Sequence, residues 1–247
     1  MWSPEQYARF AQERKQPFTD LLSLIERRPG MRAVDLGCGT GELTRELHET
    51  LAAEKTIGID DSETMLAKAA PLGGEMLRFE KGDIASFASD RPYDLIFSNA
   101  AFHWIPDHEE LLTRLTNFLS TRGQLAVQMP ANDGHPSHVV AAEVAREFGA
   151  EPRPDYLLPV ERYADLLHRL GYAHQHVRMQ VYGHVLPSTG DVVEWVRGAL
   201  LTHYQTQLAP HRFEEFLGVY RTRLRAALGE PRPFFYTYKR VLLWASL

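Results

Sequence analysis

The stretch AVDLGCGTG, residues 33–41, decides how the rest of the chain is read. A short apolar run ends in three glycines spaced two apart, with Asp35 just ahead of them and ELTREL opening a helical pattern just behind. Glycines at such a strand-to-helix junction either let the backbone approach a ligand or close an ordinary tight turn. A dinucleotide fingerprint requires G-x-G-x-x-G. Here Gly37, Gly39 and Gly41 are followed by Glu42, so the third glycine falls one residue early and the pattern departs from a pyrophosphate site.

Outward from this turn, strands and helices alternate. RAVDL, KTIGI, MLRFE, YDLIFS and QLAVQM read as strands, with ELTRELHETLA, ETMLAKAA and a segment from Asp107 as helices between them. That order predicts βαβ units and a parallel sheet. Asp107 and Glu110 occupy capping-box positions ahead of an apolar face of Leu111, Leu112, Leu115, Phe118 and Leu119. Beyond Pro130, NDGHPSH and EPRPDYLLP break the regularity; helices are predicted over 137–148 and 160–170, then a strand HVRMQVYGHV. A helical stretch over 188–229 follows, in which Phe213, Phe216, Leu217, Tyr220, Leu224 and Leu228 keep helical spacing, and FFYTYKRVLLWA closes the chain as a strand. At the other end Ser3, Pro4 and Gln6 mark a helix start, and Arg14 falls on the stripe of Tyr7, Phe10 and Ala11.

The totals limit the function. With 247 residues, 44% hydrophobic and 24% charged, the chain is expected to be a soluble α/β protein of one domain. Its longest apolar runs, such as VLLWA, are too short to span a bilayer, and MWSPEQYARFAQER lacks the apolar segment of a secretory signal, so a cytoplasmic location is expected. The net charge of −5, without a basic tract, argues against a nucleic-acid partner. The single cysteine, Cys38, cannot form an intrachain disulfide and reads as a small packed side chain. The pairs His135/His138 and His174/His176 lack the spacing and third ligand of a metal site, and no metal is expected.

Three acids end three successive predicted strands or lie just beyond them. Open parallel sheets bind ligands outside the carboxyl ends of their strands, which is where Asp35, Asp60 and Asp83 fall. Asp60 ends KTIGID, the usual place for a carboxylate that accepts both hydroxyls of a ribose; Ser62 then caps a helix whose first turn carries Met65. Asp83 and Ile84 follow the next strand.

The run VDLGCGTG, GID, GDI and YDLIFSNAAFHW, over residues 32–130, resembles the class I S-adenosylmethionine (SAM) methyltransferases. The resemblance implies a Rossmann-like, seven-stranded, mostly parallel sheet with an antiparallel last strand, and SAM as cofactor. It also implies that Gly37, Gly39 and Gly41 admit the methionine part, that Asp60 holds the ribose near Met65, that Asp83 and Ile84 bracket the adenine, and that Asn99 lines the floor. SAM has no pyrophosphate, so a shorter glycine turn and a carboxylate such as Asp35, facing the ammonium, replace a phosphate cradle. WSPEQYARFAQERKQPFTDLL, SNAAFHWIPDHEELL, GQLAVQMPANDGHPSH and VVEWVRGALL carry a narrower resemblance, to the trans-aconitate 2-methyltransferase family, which weakens over 201–236. It implies carboxyl O-methylation of a small polycarboxylate by a single domain, 1–247, with 188–229 inserted as a helical cap.

The chemistry agrees with what is missing. A carboxylate with a pKa of about 4 is ionised at neutral pH and needs no general base to attack a methyl sulfonium. No Ser/His/Asp constellation and no Asn-Pro-Pro-Tyr signature is present, and no catalytic side chain is assigned beyond His103, which would serve as base only for a hydroxyl or amine nucleophile. The remaining carboxylates of a polyacid call for a cation, for which Arg is suited by its planar fork. Arg14 is the first candidate and Arg197, on the flank of its helix, a weaker one; His103, Trp104, Tyr236 and Tyr238 are the other residues expected at the substrate. Each has a plain alternative in packing or solvent exposure. Three further functions stay open: methylation of a malonyl group on a carrier protein, methylation of a hydroxyl or nitrogen, and a SAM-binding regulatory module without catalysis.

Overall fold

A computed structural model describes residues 11–247, with side chains from Lys15 onward. The predicted helix start at Ser3 and the Arg14 side chain lie outside the described residues. α1 spans Ala11–Leu22 and leads to β1 (Arg32–Leu36), α2 (Glu42–Leu51), β2 (Lys55–Asp60), α3 (Glu63–Ala69) and β3 (Leu77–Lys81). β4 (Tyr93–Asn99), α4 (His108–Thr116), β5 (Leu119–Pro130), α5 (Pro136–Glu147) and α6 (Val160–Arg169) follow. The chain ends through β6 (His174–Leu186), α7 (Gly190–Arg197), α8 (Leu200–Gln205), α9 (Pro210–Leu228) and β7 (Phe234–Ser246). The stretch expected to be helical beyond Ser188 is thus three helices.

The seven strands form one sheet in the order β3-β2-β1-β4-β5-β7-β6. β1 pairs in parallel with β2 and β4, β2 with β3, and β4 with β5, whereas β7 runs antiparallel to β5, from Gln124↔Ser246 to Pro130↔Arg240. The burial of each strand follows its place. Ala33 to Leu36 of β1 and Leu95 to Ser98 of β4 are buried without alternation, as central parallel strands covered on both faces require. β3, at the sheet edge, reads LRFEK and buries only Leu77, its charges blunting the edge.

One prediction is corrected here. The helix after Asp107 ends at Thr116, so Phe118 and Leu119 do not extend its face. The Phe118 carbonyl accepts from Tyr93 N–H, and Leu119, which opens β5, is registered against Tyr93. Strand pairing has taken the residues that helical spacing would have kept.

The described chain divides into two compact units. One comprises Gln16–Pro130, Tyr156–Gln180 and Arg240–Leu247, and contains β1 to β5 with their helices. The other comprises residues 11–15, Ala131–Asp155 and Val181–Lys239; its core is aromatic, built from Trp195, Tyr204, Phe213, Phe216, Tyr220 and Tyr236. No described helix is long and apolar enough to cross a membrane.

Candidate active site

The three glycines of the opening turn all have left-handed φ, +85°, +56° and +82°, but they do different work. A Cβ on Gly37 would lie 2.2 Å from the Ala101 Cβ, and one on Gly41 would lie 2.8 Å from both Ala69 and Phe79. These two are glycines because neighbouring chain occupies the space. A Cβ on Gly39 would meet nothing within 4 Å, so the turn is open there. The amides are largely spent: Gly37 and Cys38 N–H both donate to the Ile59 carbonyl (2.8 and 3.0 Å), Gly39 N–H to Asp60 Oδ2 (2.8 Å) and Gly41 N–H to the Cys38 carbonyl (3.1 Å). A phosphate nest needs convergent free amides. This turn offers a gap instead.

Around the gap stand acceptors. Asp60 takes Gly39 N–H on Oδ2 and Ser62 N–H on Oδ1 (2.9 Å), which fixes the carboxylate and leaves a lone pair on each oxygen for a diol. Asp35 is buried at the end of β1. Its Oδ2 accepts from Thr44 Oγ1 at 2.6 Å, and its Oδ1 is buried with no partner. Burial pushes its pKa up to about 7, with the Thr44 hydrogen bond opposing the shift and Asp60 adding to it. At the end of β4 the Asn99 Oδ1 is likewise buried and unpartnered. Buried acceptors of this kind are uncommon and call for a donor.

The remaining cofactor candidates lie along the same edge. Ser62 caps α3 by accepting Met65 N–H (3.3 Å), and Met65 is half-buried. Asp83 is exposed and accepts Ala85 N–H (2.9 Å), turning the chain so that Ile84 is buried with Cδ1 3.5 Å from the Cβ position of Gly37. Cys38 is buried, and burial, with Asp35 and Asp60 nearby, holds its thiol protonated. The residues fit the cofactor implied by the sequence: two unpartnered oxygens for an ammonium, a fixed carboxylate for a ribose, and an open cradle at Gly39.

After β4, Ala100 takes φ +57° and a single 3₁₀ turn, Phe102–Trp104, carries His103 inward and leaves Trp104 46% exposed, their ring centroids 4.8 Å apart. Two residues that sequence reasoning passed over hold this turn. His108 donates from Nε2 to the Phe102 carbonyl (3.0 Å), so its Nδ1 accepts from the Tyr163 hydroxyl, which itself accepts Leu158 N–H (3.1 Å). Both rings are buried. His108 and Tyr163 stand 55 residues apart, and no local pattern links them.

The other substrate candidates are dispersed. Arg197 pairs with Glu194 at 3.2 Å. Tyr236 and Tyr238 are buried in the second unit, packed on Trp195 at 5.6 and 6.0 Å between ring centroids. The Tyr236 hydroxyl meets Asn132 Nδ2 (3.4 Å) and Ser137 Oγ (3.3 Å), the latter beside His138, whose pKa is driven down to about 3 by burial and then by Arg153 and His135.

Comparison with known proteins places this geometry in context. Residues 27–155 match the model of a methyltransferase domain family. The trans-aconitate 2-methyltransferase of Deinococcus radiodurans is 39% identical, over 99% of this chain and 98% of its own. That of Sinorhizobium fredii is 37% identical, over 92% and 90%. Among solved structures, the YcgJ protein from Bacillus subtilis superposes with a TM-score of 0.63 at 16% identity, over 94% of this chain and 97% of its own. A Haemonchus contortus phosphoethanolamine N-methyltransferase 2 in complex with SAM gives 0.59 at 15% identity, over 94% of this chain and 52% of that one.

Proposed function

The chain belongs to the trans-aconitate 2-methyltransferase family, and from that membership we propose that it transfers a methyl group from SAM to a carboxylate of trans-aconitate, forming a monomethyl ester. The observation that carries the reading is the extent of the match, which runs through both units rather than through the cofactor-binding residues alone.

When bound, SAM supplies an electrophilic methyl on a sulfonium, and loss of that methyl to a carboxylate oxygen leaves a neutral thioether with no proton to move. The protein is then required to bind, align and exclude water. Gly39 would leave the backbone gap for the methionine part, Asp35 and Asn99 would accept from the ammonium, Asp60 would hold the ribose hydroxyls, and Ile84 with Asp83 and Met65 would flank the adenine. Trp104 is exposed at the turn where substrate is expected to meet the methyl. Alignment of this kind is worth roughly 7–11 kcal/mol in favourable cases, so the absence of a general base costs the mechanism nothing. The substrate is a polyanion.

Incubation with methyl-labelled SAM and a panel of di- and tricarboxylates tests the reading. Label should enter trans-aconitate as a base-labile ester; base-stable label, or none with any acid, would overturn it.

A further inference from the structure

Gln128 and Arg240 stand at the carboxyl edge of the sheet, in the same unit as Asp35, Asp60 and Asn99. Gln128, near the end of β5, is registered opposite Asn99 of β4 and is 1% exposed. Arg240, on β7 opposite Pro130, is 6% exposed, and its Nη1 donates to Gln128 Oε1 at 3.1 Å. That contact fixes the amide. Arg has only donors, so the atom facing it must be the amide oxygen, and the NH2 of Gln128 points away from the guanidinium. The NH2 is buried and has no partner.

A buried donor without a partner is destabilising unless a bound molecule takes it up. Beside it stands a guanidinium, charged at all accessible pH, which makes the place favourable to an anion. Together they set an unsatisfied donor next to a positive charge. The chemistry they select is a carboxylate.

Two carboxylates could answer to that description, one on the substrate and one on the methionine part of SAM. The strand order favours the first. Asp60, proposed to hold the ribose, ends β2, and the glycine turn ends β1; Gln128 is two strands beyond β1 on the opposite side, across β4, and Arg240 three. At roughly 4.8 Å per strand, Gln128 is about 10 Å from the glycine turn, beyond Asn99. We propose that Gln128 and Arg240 form a carboxylate subsite for the polyacid substrate, with Arg240 setting the orientation of the amide as well as supplying charge. The proposal rests on the function proposed above and assigns part of the substrate's recognition to two residues.

Gln128→Glu in the full chain is the test, because it keeps the size of the side chain, gives Arg240 a charged partner and turns the free donor into an acceptor that repels a carboxylate. The Michaelis constant for trans-aconitate should rise about tenfold or more, while the dissociation constant of S-adenosylhomocysteine and the thermal midpoint stay near the wild-type values. A purely structural role for Gln128 predicts the reverse, an unchanged Michaelis constant with a shifted midpoint, and would overturn the subsite. Weaker S-adenosylhomocysteine binding with an unchanged Michaelis constant would overturn it as well, by assigning the pair to the cofactor. Should Gln128→Glu not fold, Gln128→Met removes the donor without adding charge and is read by the same criteria.

Calorimetry with trans-aconitate in the presence of S-adenosylhomocysteine separates this inference from the function it rests on. Binding by the wild type that Gln128→Glu abolishes, with no ester formed, would leave the subsite standing and remove the reaction. Ester formation with an unaltered Michaelis constant in Gln128→Glu would do the opposite. No binding and no ester would remove both.

Discussion

Cofactor affinity should depend on pH through Asp35. Its carboxyl is buried beneath the glycine turn, with a pKa pushed up to about 7 chiefly by that burial. In the unfolded chain the group titrates near about 3.9. The folded protein therefore keeps a proton that the unfolded chain has released, so the stability associated with Asp35 is fully present at low pH, falls as pH rises toward about 7 and is level above it. A bound cation reverses the preference, because an ammonium beside Oδ1 favours the ionised form. Affinity for SAM then follows the ionised fraction of Asp35. From about pH 5.5 to 7.5 that fraction rises roughly twentyfold for a pKa of about 7, while the α-amino group stays largely protonated below about 7.7. Isothermal titration over this range, at constant ionic strength, should show the dissociation constant falling by about that factor and levelling as pH passes the pKa. Asp35→Asn removes the titration and should give a flat profile. A wild-type constant that does not move over the window, or a slope that persists in Asp35→Asn, refutes the argument.

Other outcomes separate the roles of neighbouring residues. Gly39→Ala costs about 1–2 kcal/mol for its left-handed backbone and puts a methyl into the open cradle, so titration should show SAM binding weakened at least tenfold with a modest drop in thermal midpoint. Gly37→Ala drives a Cβ to 2.2 Å from that of Ala101 and should lower the midpoint far more, or prevent folding, before binding can be read. His103→Gln should leave ester formation within about fivefold of wild type; a loss of about 10²–10⁴ would point to a general base and hence to a hydroxyl or amine nucleophile.

The residues around the glycine turn were legible because their signals are local. A strand, three glycines and a helix lie within one short run, and each acid sits at or just beyond the end of its own strand, so period and spacing alone brought Asp35, Asp60 and Asp83 to one edge. The end of α4 was not legible, since Leu115, Phe118 and Leu119 fit a helical face and only the pairing of Leu119 with Tyr93 takes them out of it. The same limit hid His108 with Tyr163 and Gln128 with Arg240, partners 55 and 112 residues apart whose contacts exist only once the chain is folded. The two-residue period of β7 puts Tyr236, Tyr238 and Arg240 on one face, but it does not say which of them meets an aromatic core and which a polar strand end.

The internal bonding of the glycine turn bears on how far this scaffold could be redirected. Gly37, Cys38 and Gly39 are tethered by the Ile59 carbonyl and the Asp60 carboxylate of the neighbouring strand, so the ring of donors that a diphosphate would seek is already closed. Inserting a residue to restore the longer glycine spacing would not reopen it. An engineer wanting a nucleotide coenzyme here would have to rebuild the end of β2 together with the turn, since each dictates the conformation of the other.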